Sequence, residues 1–182
     1  MAAASAAKQR LWTWSNRMGY WGSLIVARHR HPLNGAAAFT DGVHMELLQE
    51  RADDWRLWSL EGETSLDEET LVELVEVTGR PVLAGFVMDS DCLVLEGRTR
   101  GQATWRACLD RTAMSAYMAE DGQSADDWFL GPEEAAERAV AWARAAGLTP
   151  VPKTIVDVLS KRSDPFVEDL FQEFLDGLGI GR

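Results

Sequence analysis

The stretch "PVLAGFVMDSDCLVLEGR", residues 81–98, sets two acidic side chains between two runs of apolar residues. The runs, residues 82–88 and 92–96, have the length and composition of strands. Asp and Ser favour a bend between them because their side chains hydrogen-bond nearby backbone amides. The stretch therefore predicts an antiparallel hairpin whose tip is the turn Asp89-Ser90-Asp91.

A third apolar run, residues 104–109, continues the zigzag after a short loop. With Cys92 placed opposite Cys108, the apolar residues of all three runs fall on shared faces, and a slip of one residue would scatter them. We therefore expect a three-stranded meander over about residues 82–109. Since both of its faces are apolar, the meander is predicted to lie centrally in a sheet that is covered on both sides.

Upstream of the meander, the sequence favours further strands. Residues 20–30 carry aromatic and β-branched residues before a proline and a turn, as strands do. Residues 53–63 form a second strand candidate, although the spacing of their tryptophans leaves a helix open. Residues 43–51 fit either a strand or a short helix.

Helix signals are strongest in the C-terminal half of the chain. Capping residues, a proline at a first helical position and glycines past the ends mark the boundaries. The predicted helices are residues 65–78, capped by Ser65 and closed by Gly79; a helix from Asp110 or Thr112 that stops before Gly122; residues 131–147, with Pro132 first; and residues 163–177, closed by Gly177. The last of them has an apolar face and an acidic face.

Together these signals predict an α+β fold, with a mostly antiparallel sheet from the first 110 residues and covering helices that dominate the C-terminal half. The chain shows no internal repeat and no linker composition, so we expect residues 1–182 to form a single domain. Residues 1–10 are expected to be frayed, and residues 163–182 to form an amphipathic helix and a tail.

The composition disfavours several classes of protein. A net charge of −11 repels nucleic acid and anionic membrane surfaces. No apolar run approaches the roughly 18 residues that a membrane span requires, and the N-terminal sequence lacks the apolar segment of a secretory signal. We therefore expect a cytoplasmic protein that binds neither nucleic acid nor membrane.

Two sets of side chains are weak candidates for binding a metal. Asp89 and Asp91 can ligate a hard cation, but the stretch lacks the further oxygen ligands and the glycine of a calcium loop. His29 and His31 share one face of a strand, and His44 can complete a zinc site, but the neighbouring arginines repel a cation. We favour the turn interpretation for the aspartates and expect no metal and no cofactor.

The two cysteines of the chain, Cys92 and Cys108, lie in apolar runs. A redox pair needs an activated, exposed thiolate and is usually spaced Cys-x-x-Cys, whereas a buried cysteine acts as a small hydrophobic residue. We therefore expect two adjacent buried thiols.

Eight tryptophans are a high count for a chain of 182 residues. Tryptophan is enriched at binding hot spots because its large rigid surface loses little entropy on contact. We favour the interpretation in which the rings cover the edges of the core and the apolar face of the last helix packs on its own domain. The alternative is that the rings and this face contact a partner. The predicted partner-binding residues are Trp12, Trp14, Trp21, Trp128, Phe171 and Phe174.

The sequence contains no phosphate-binding loop, nucleophile elbow or zinc-protease motif. The leading hypothesis is a non-enzymatic acidic protein-binding module, in the manner of an antitoxin or immunity protein that neutralises a basic partner. The alternative is a small enzyme or small-molecule-binding domain with a pocket near the central hairpins, in which Asp89, Asp91 and His44 are the polar groups. A third hypothesis is homo-oligomerisation through the C-terminal helix.

Overall fold

The computed structural model describes residues 19–29, 33, 44–60 and 66–181. The strands are β1 (Gly22–Ala27), β2 (Met45–Glu50), β3 (Arg56–Leu60), β4 (Val82–Met88), β5 (Cys92–Arg98) and β6 (Trp105–Leu109). The helices are α1 (Glu68–Thr78), α2 (Arg111–Glu120), α3 (Ala125–Trp128), α4 (Pro132–Ala145), α5 (Pro152–Leu159) and α6 (Val167–Leu178), and a 3₁₀ turn (Ala52–Asp54) joins β2 to β3.

Within the described residues, the six strands form one sheet in the order β2-β3-β1-β4-β5-β6. Each neighbouring pair is antiparallel. The predicted α+β fold is confirmed, since the strands come from the first 110 residues and helices dominate the C-terminal half. The segment 43–51, which fitted either element, contains the strand β2.

The predicted hairpin of β4 and β5 is confirmed, with Met88 opposite Cys92 at its end. Asp89 and Ser90 both have positive φ angles, 54° and 59°, and the backbone N–H of Asp91 donates to the Met88 carbonyl at 3.0 Å. Positive φ at two successive central residues gives a tight connection that suits the right-handed twist of the flanking strands. The three residues therefore form a turn, as their chemistry predicts.

The predicted pairing of β5 with β6 is wrong by two residues. Cys108 lies opposite Val94, and not opposite Cys92, while Gly97 lies opposite Trp105. The indole of Trp105 covers Gly97 so closely that a Cβ at Gly97 would lie 2.3 Å from the ring. Because side chains alternate with a period of two, this shift leaves the predicted apolar faces of the strands unchanged.

The meander forms one half of the sheet. β4 lies beside β1 at the centre, whereas β6 is an edge strand. The meander is therefore not central in the sheet, contrary to the prediction from the sequence. β1 pairs with both β3 and β4, so the three N-terminal strands all add to the β4 side of the meander. The backbone N–H of Leu130 donates to the Arg106 carbonyl at 3.2 Å and so occupies part of the β6 edge.

One face of the sheet is covered by α4, α5 and α6, and this side holds the largest buried cluster. Phe171 and Phe174 of α6 are fully buried in it, so the last helix packs on its own domain. Trp142 of α4 also lies there and donates from Nε1 to the carbonyls of Val82 and Arg98, each at 3.1 Å. The strand residues of this cluster are Leu24, Val26, Leu57, Leu83, Val87, Leu93, Leu95, Ala107 and Leu109.

The opposite face carries two separate buried clusters. α1 packs through Leu74 and Val75 against Ile25 of β1 and its neighbours. α2 and α3 pack over the part of the meander that contains Cys92 and Cys108. Both faces of the sheet are therefore covered, as the two-sided apolar pattern predicts.

The start of α1 differs from its prediction. Asp67 caps the helix, because its Oδ1 accepts a hydrogen bond from the backbone N–H of Thr70 at 2.7 Å. Ser65, the predicted cap, lies outside the described residues. The end agrees, since Gly79 takes the left-handed conformation there with a φ of 62°.

The end of α6 also differs from its prediction. Gly177 lies inside the helix, and Gly179, with a φ of 89°, closes it. The reason is the close approach of α5: a Cβ at Gly177 would lie 3.2 Å from the Ile155 side chain. The prediction missed α5 itself because eight residues give only about two helical turns, which is too short for a clear hydrophobic period.

A buried arginine between β2 and β3 holds the C-terminal end of α6. The Arg51 side chain is fully buried and donates to Asp176 Oδ1 at 3.0 Å. It also donates to Gln172 Oε1 and to the carbonyl of Ile180. Carbonyls at a helix C-terminus carry partial negative charge, so a guanidinium with several donors suits this position.

Replacing Arg51 by alanine is expected to lower the free energy of unfolding by about 3 kcal/mol, because it removes a buried guanidinium that donates to three acceptors near the end of α6. Urea denaturation followed by circular dichroism measures this change. The control Arg100→Ala removes an exposed arginine paired with Glu76, and we expect no measurable change because exposed ion pairs contribute little. Equal losses in the two variants would contradict the role assigned to Arg51.

Candidate functional site

An exposed tryptophan lies at the end of the sheet where the hairpin tip projects. Trp21 directly precedes β1, and 42% of its surface is exposed. Its ring meets Phe86 edge-on, with centroids 6.3 Å apart, and Tyr117 of α2 edge-on at 6.4 Å. Edge-to-face packing holds an aromatic ring in one orientation. The indole is therefore supported from two sides while much of it stays in contact with solvent.

The two aspartates of the turn flank this aromatic group. Asp89 and Asp91 are both exposed, and the hydroxyl of Tyr117 donates to Asp91 Oδ2 at 3.3 Å. Burial, followed by the charges of Asp91 and Asp89, raises the pKa of Tyr117 to about 12. The hydroxyl therefore stays protonated and remains a donor. We call Trp21, Phe86, Tyr117, Asp89 and Asp91 the aromatic–carboxylate patch.

The turn residue between the two aspartates points inward. Ser90 is buried and accepts a hydrogen bond at Oγ from the backbone N–H of Tyr20 at 3.0 Å. Its own N–H donates to the Tyr20 carbonyl at 3.1 Å, and its carbonyl accepts from the N–H of Val167 at 2.9 Å. Ser90 therefore joins the entry to β1, the hairpin tip and the start of α6.

The hydroxyl of Ser90 donates in turn to Glu168 Oε1 at 2.8 Å. Glu168 is only 1% exposed, and within the described residues its Oε2 has no hydrogen-bond partner. Burial raises the pKa of Glu168 above its ordinary value of 4.5, and the nearby charges of Asp169 and Asp91 act in the same direction. The hydrogen bonds from Ser90 and from the backbone N–H of Glu168 oppose this rise without cancelling it.

A second buried carboxylate supports the same end of the molecule. Asp110 caps α2, its Oδ1 accepting from the N–H of Ala113 at 3.0 Å. Its Oδ2 accepts from the N–H and the hydroxyl of Ser163, at 2.7 and 2.8 Å. The Ser163 hydroxyl lies 3.2 Å from the carbonyl of Asp91 as well. The connection between α5 and α6 is thus tied to the base of the turn.

The structure separates the predicted partner-binding residues into three groups. Trp21 lies in the aromatic–carboxylate patch, and Trp128 lies on α3 with 53% of its surface exposed. The prediction that Phe171 and Phe174 contact a partner is wrong. Both are fully buried in the core and offer no contact surface to a partner or a second copy. Their helix packs inward since its apolar stripe completes the cover of the sheet. The remaining two residues, Trp12 and Trp14, lie outside the described part of the chain.

Of the weak metal candidates, His29, Asp89 and Asp91 lie within the described residues. Among the described residues, no three His, Cys, Asp or Glu side chains are placed to hold a metal ion. The carbonyl of His29 accepts from Arg56 Nη1 at 2.8 Å, and His31 lies outside the described residues. Asp89 and Asp91 occupy the turn and contact Gly19 and Tyr117.

The alternative hypothesis needs Asp89, Asp91 and His44 together around one pocket, and the structure places His44 elsewhere. His44 directly precedes β2, and β3 and β1 separate β2 from β4. Three strand spacings of about 4.8 Å place His44 about 14 Å from β4, across the sheet from the hairpin. Asp89 and Asp91 therefore have no histidine from this position beside them.

The two cysteines are buried and free, as predicted. Burial raises the pKa of Cys92 to about 12, and the charge of the neighbouring Cys108 thiolate adds to this. Burial likewise raises the pKa of Cys108 to about 11, partly opposed by Arg111. Both thiols therefore stay protonated and unreactive in the folded chain.

Sequence reasoning missed the buried polar residues behind the patch. The acidic face predicted for the last helix includes Glu168 by its charge, although its spacing of three and seven residues from Phe171 and Leu175 places it beside the apolar stripe. That spacing is the one signal that indicates burial. Ser90 carried no such signal, because its partner Glu168 lies 78 residues away in the sequence.

Comparisons with protein-family models, with curated proteins and with solved structures found no match to this chain. None of the described helices combines the length and the apolar character that crossing a membrane requires. The site is therefore interpreted from its own geometry and chemistry.

The raised pKa of Glu168 predicts how the stability of the protein depends on pH. The folded state binds this proton more tightly than the unfolded chain, so the contribution is complete below pH 4.5 and is lost as the pH rises through the folded-state pKa. In Glu168→Gln the loss is absent. We expect the free energy of unfolding of the wild type, relative to this variant, to fall with rising pH.

Urea denaturation at a series of pH values measures this difference. Asp169→Asn is the matched control, because it removes an exposed carboxylate from the same turn of α6. The pH dependence should persist in this variant with a lower midpoint, because one of the charges that raise the pKa of Glu168 is gone. Parallel stability curves for the wild type and Glu168→Gln would contradict the assignment.

The buried thiols give an independent prediction. Native protein is expected to react with a thiol reagent such as dithiobisnitrobenzoate far more slowly than protein unfolded in guanidinium, because the raised pKa and the burial of both thiols suppress the thiolate. The absorbance of the released thionitrobenzoate follows the reaction. Rapid labelling of either cysteine in the native state would show that this face of the sheet is open.

Proposed function

We propose that this chain is a non-enzymatic, cytoplasmic protein-binding module that recognises a basic partner through the aromatic–carboxylate patch. The observation that carries the proposal is the half-exposed ring of Trp21, held by Phe86 and Tyr117 beside two exposed carboxylates. Tryptophan binds cationic side chains over its face, and carboxylates pair with lysine and arginine. The patch therefore suits a surface that presents these side chains.

The charge of the whole chain supports the same partner chemistry. A net charge of −11 attracts a basic protein over a distance and speeds its encounter at low ionic strength. An antitoxin or immunity protein that neutralises a basic toxin has these requirements. Trp128, which is exposed and follows Asp126 and Asp127, offers a second contact of similar composition.

The proposal is tested by affinity capture with the full chain as bait in a lysate of the source cells. We expect a stoichiometric basic protein that is lost at high salt, because screening weakens the attraction between opposite charges. Trp21→Ala and the double variant Asp89→Asn/Asp91→Asn should weaken its capture at least tenfold, which binding titrations with the purified partner then measure.

The control is the double variant Glu133→Gln/Glu137→Gln. It removes the same amount of negative charge from exposed positions of α4 and leaves the patch intact. A specific patch predicts near-normal binding by this control. Equal weakening in the two double variants would show that net charge alone explains the binding, which would contradict a specific patch. Capture of no protein would also contradict the proposal.

A further inference from the structure

We propose that Glu168 and Ser90 are positioning residues for the aromatic–carboxylate patch, and that a proton on Glu168 keeps the patch in its observed arrangement. What the patch binds rests on the proposed function, whereas the positioning concerns this chain alone. The inference thus adds a form of regulation to the same site.

Ser90 controls both halves of the patch through the backbone. It lies between Asp89 and Asp91, so its position sets where the two carboxylates project. It also pairs with both backbone polar groups of Tyr20, the residue directly before Trp21. A displacement of Ser90 therefore moves the carboxylates and the indole together.

The start of α6 holds Ser90 in place. Its carbonyl accepts from the N–H of Val167, and its hydroxyl donates to Glu168 Oε1. The N–H of Tyr20 can only donate, so Ser90 Oγ accepts there and its single hydroxyl hydrogen is available for Glu168 Oε1. The carboxyl of Glu168 thus completes a continuous chain of hydrogen bonds to the entry of β1.

The surroundings of Glu168 disfavour a negative charge on its carboxyl group. Among the described residues, the charged groups that act on it are Asp169 from its own helix and Asp91 from the turn, and both are carboxylates. The favourable contacts are the Ser90 hydroxyl and the N–H at the helix start. A buried anion with two acidic neighbours, and with one oxygen that has no hydrogen-bond partner in the described part of the chain, is disfavoured, and burial raises the pKa accordingly.

Loss of the proton therefore favours movement of Glu168 toward water. This movement takes the acceptor away from the Ser90 hydroxyl and loosens the attachment of the turn to α6. The neutral form of Glu168 holds Trp21, Asp89 and Asp91 in one arrangement, and the ionised form releases them. Binding at the patch consequently weakens as the pH rises through the titration of Glu168.

The test is ¹⁹F NMR of the full chain labelled with 5-fluorotryptophan, with the Trp21 resonance assigned from the variant Trp21→Phe. In the wild type we expect this resonance to move with pH, with a midpoint above 4.5, the ordinary pKa of a glutamate. The movement should be absent in Glu168→Gln and should persist in Asp169→Asn with a lower midpoint, because Asp169 helps to raise the pKa of Glu168. In Ser90→Ala the resonance should stay near the high-pH position of the wild type at every pH.

The resonance of Trp142, which is buried in the core, reports on global folding in each sample. A titration that persists in Glu168→Gln would assign it to the exposed aspartates and overturn the inference. Absence of any movement in the wild type, or movement of Trp21 only together with Trp142, would overturn it as well. If Glu168→Gln does not fold, the wild-type titration and the Ser90→Ala position still decide. No partner enters this experiment, so failed capture overturns the proposed function alone.

Discussion

The need to cover an apolar sheet on both faces governs this structure. In β4 and β5, successive side chains point to opposite faces and nearly all of them are apolar, as Val87 and Met88 illustrate. Leaving either face in water would cost the burial energy of several large side chains, so helices must pack on both. α4, α5 and α6 form one layer, while α1 and α2 share the other.

The layer that α1 and α2 share leaves aromatic side chains partly exposed. α1 and α2 build two separate clusters, and Phe86 between them is only half-buried. Phe86 and Tyr117 both contact Trp21 edge-on at the point where the cover ends. The exposed aromatic surface is thus a product of how two helices divide one sheet face. The turn with Asp89 and Asp91 adds charge to it because the hairpin ends beside the same rings.

Both ends of α6 are held by buried polar groups, and the two ends differ in how well those groups are satisfied. At the C-terminal end, Arg51 donates to a carboxylate, an amide oxygen and a carbonyl. At the N-terminal end, Glu168 Oε1 is hydrogen-bonded, whereas its Oε2 has no partner among the residues that the structure describes. A satisfied buried ion is rigid, whereas an incompletely satisfied one is costly and responds to protonation. The sensitive end of the helix is therefore the one beside the aromatic–carboxylate patch.

The sequence alone determined the α+β class, the hairpin register through Met88 and Cys92, and the turn at its tip, because alternation and turn chemistry are local properties. The register predicted for β5 and β6 is wrong by two residues, since a shift of two preserves both faces and the close contact of Trp105 with Gly97 belongs to the observed pairing. Tertiary structure alone decided that Phe171 and Phe174 are core residues, and that Ser90 meets Glu168. Contacts between residues far apart in the chain depend on how whole elements pack, and no local pattern encodes them.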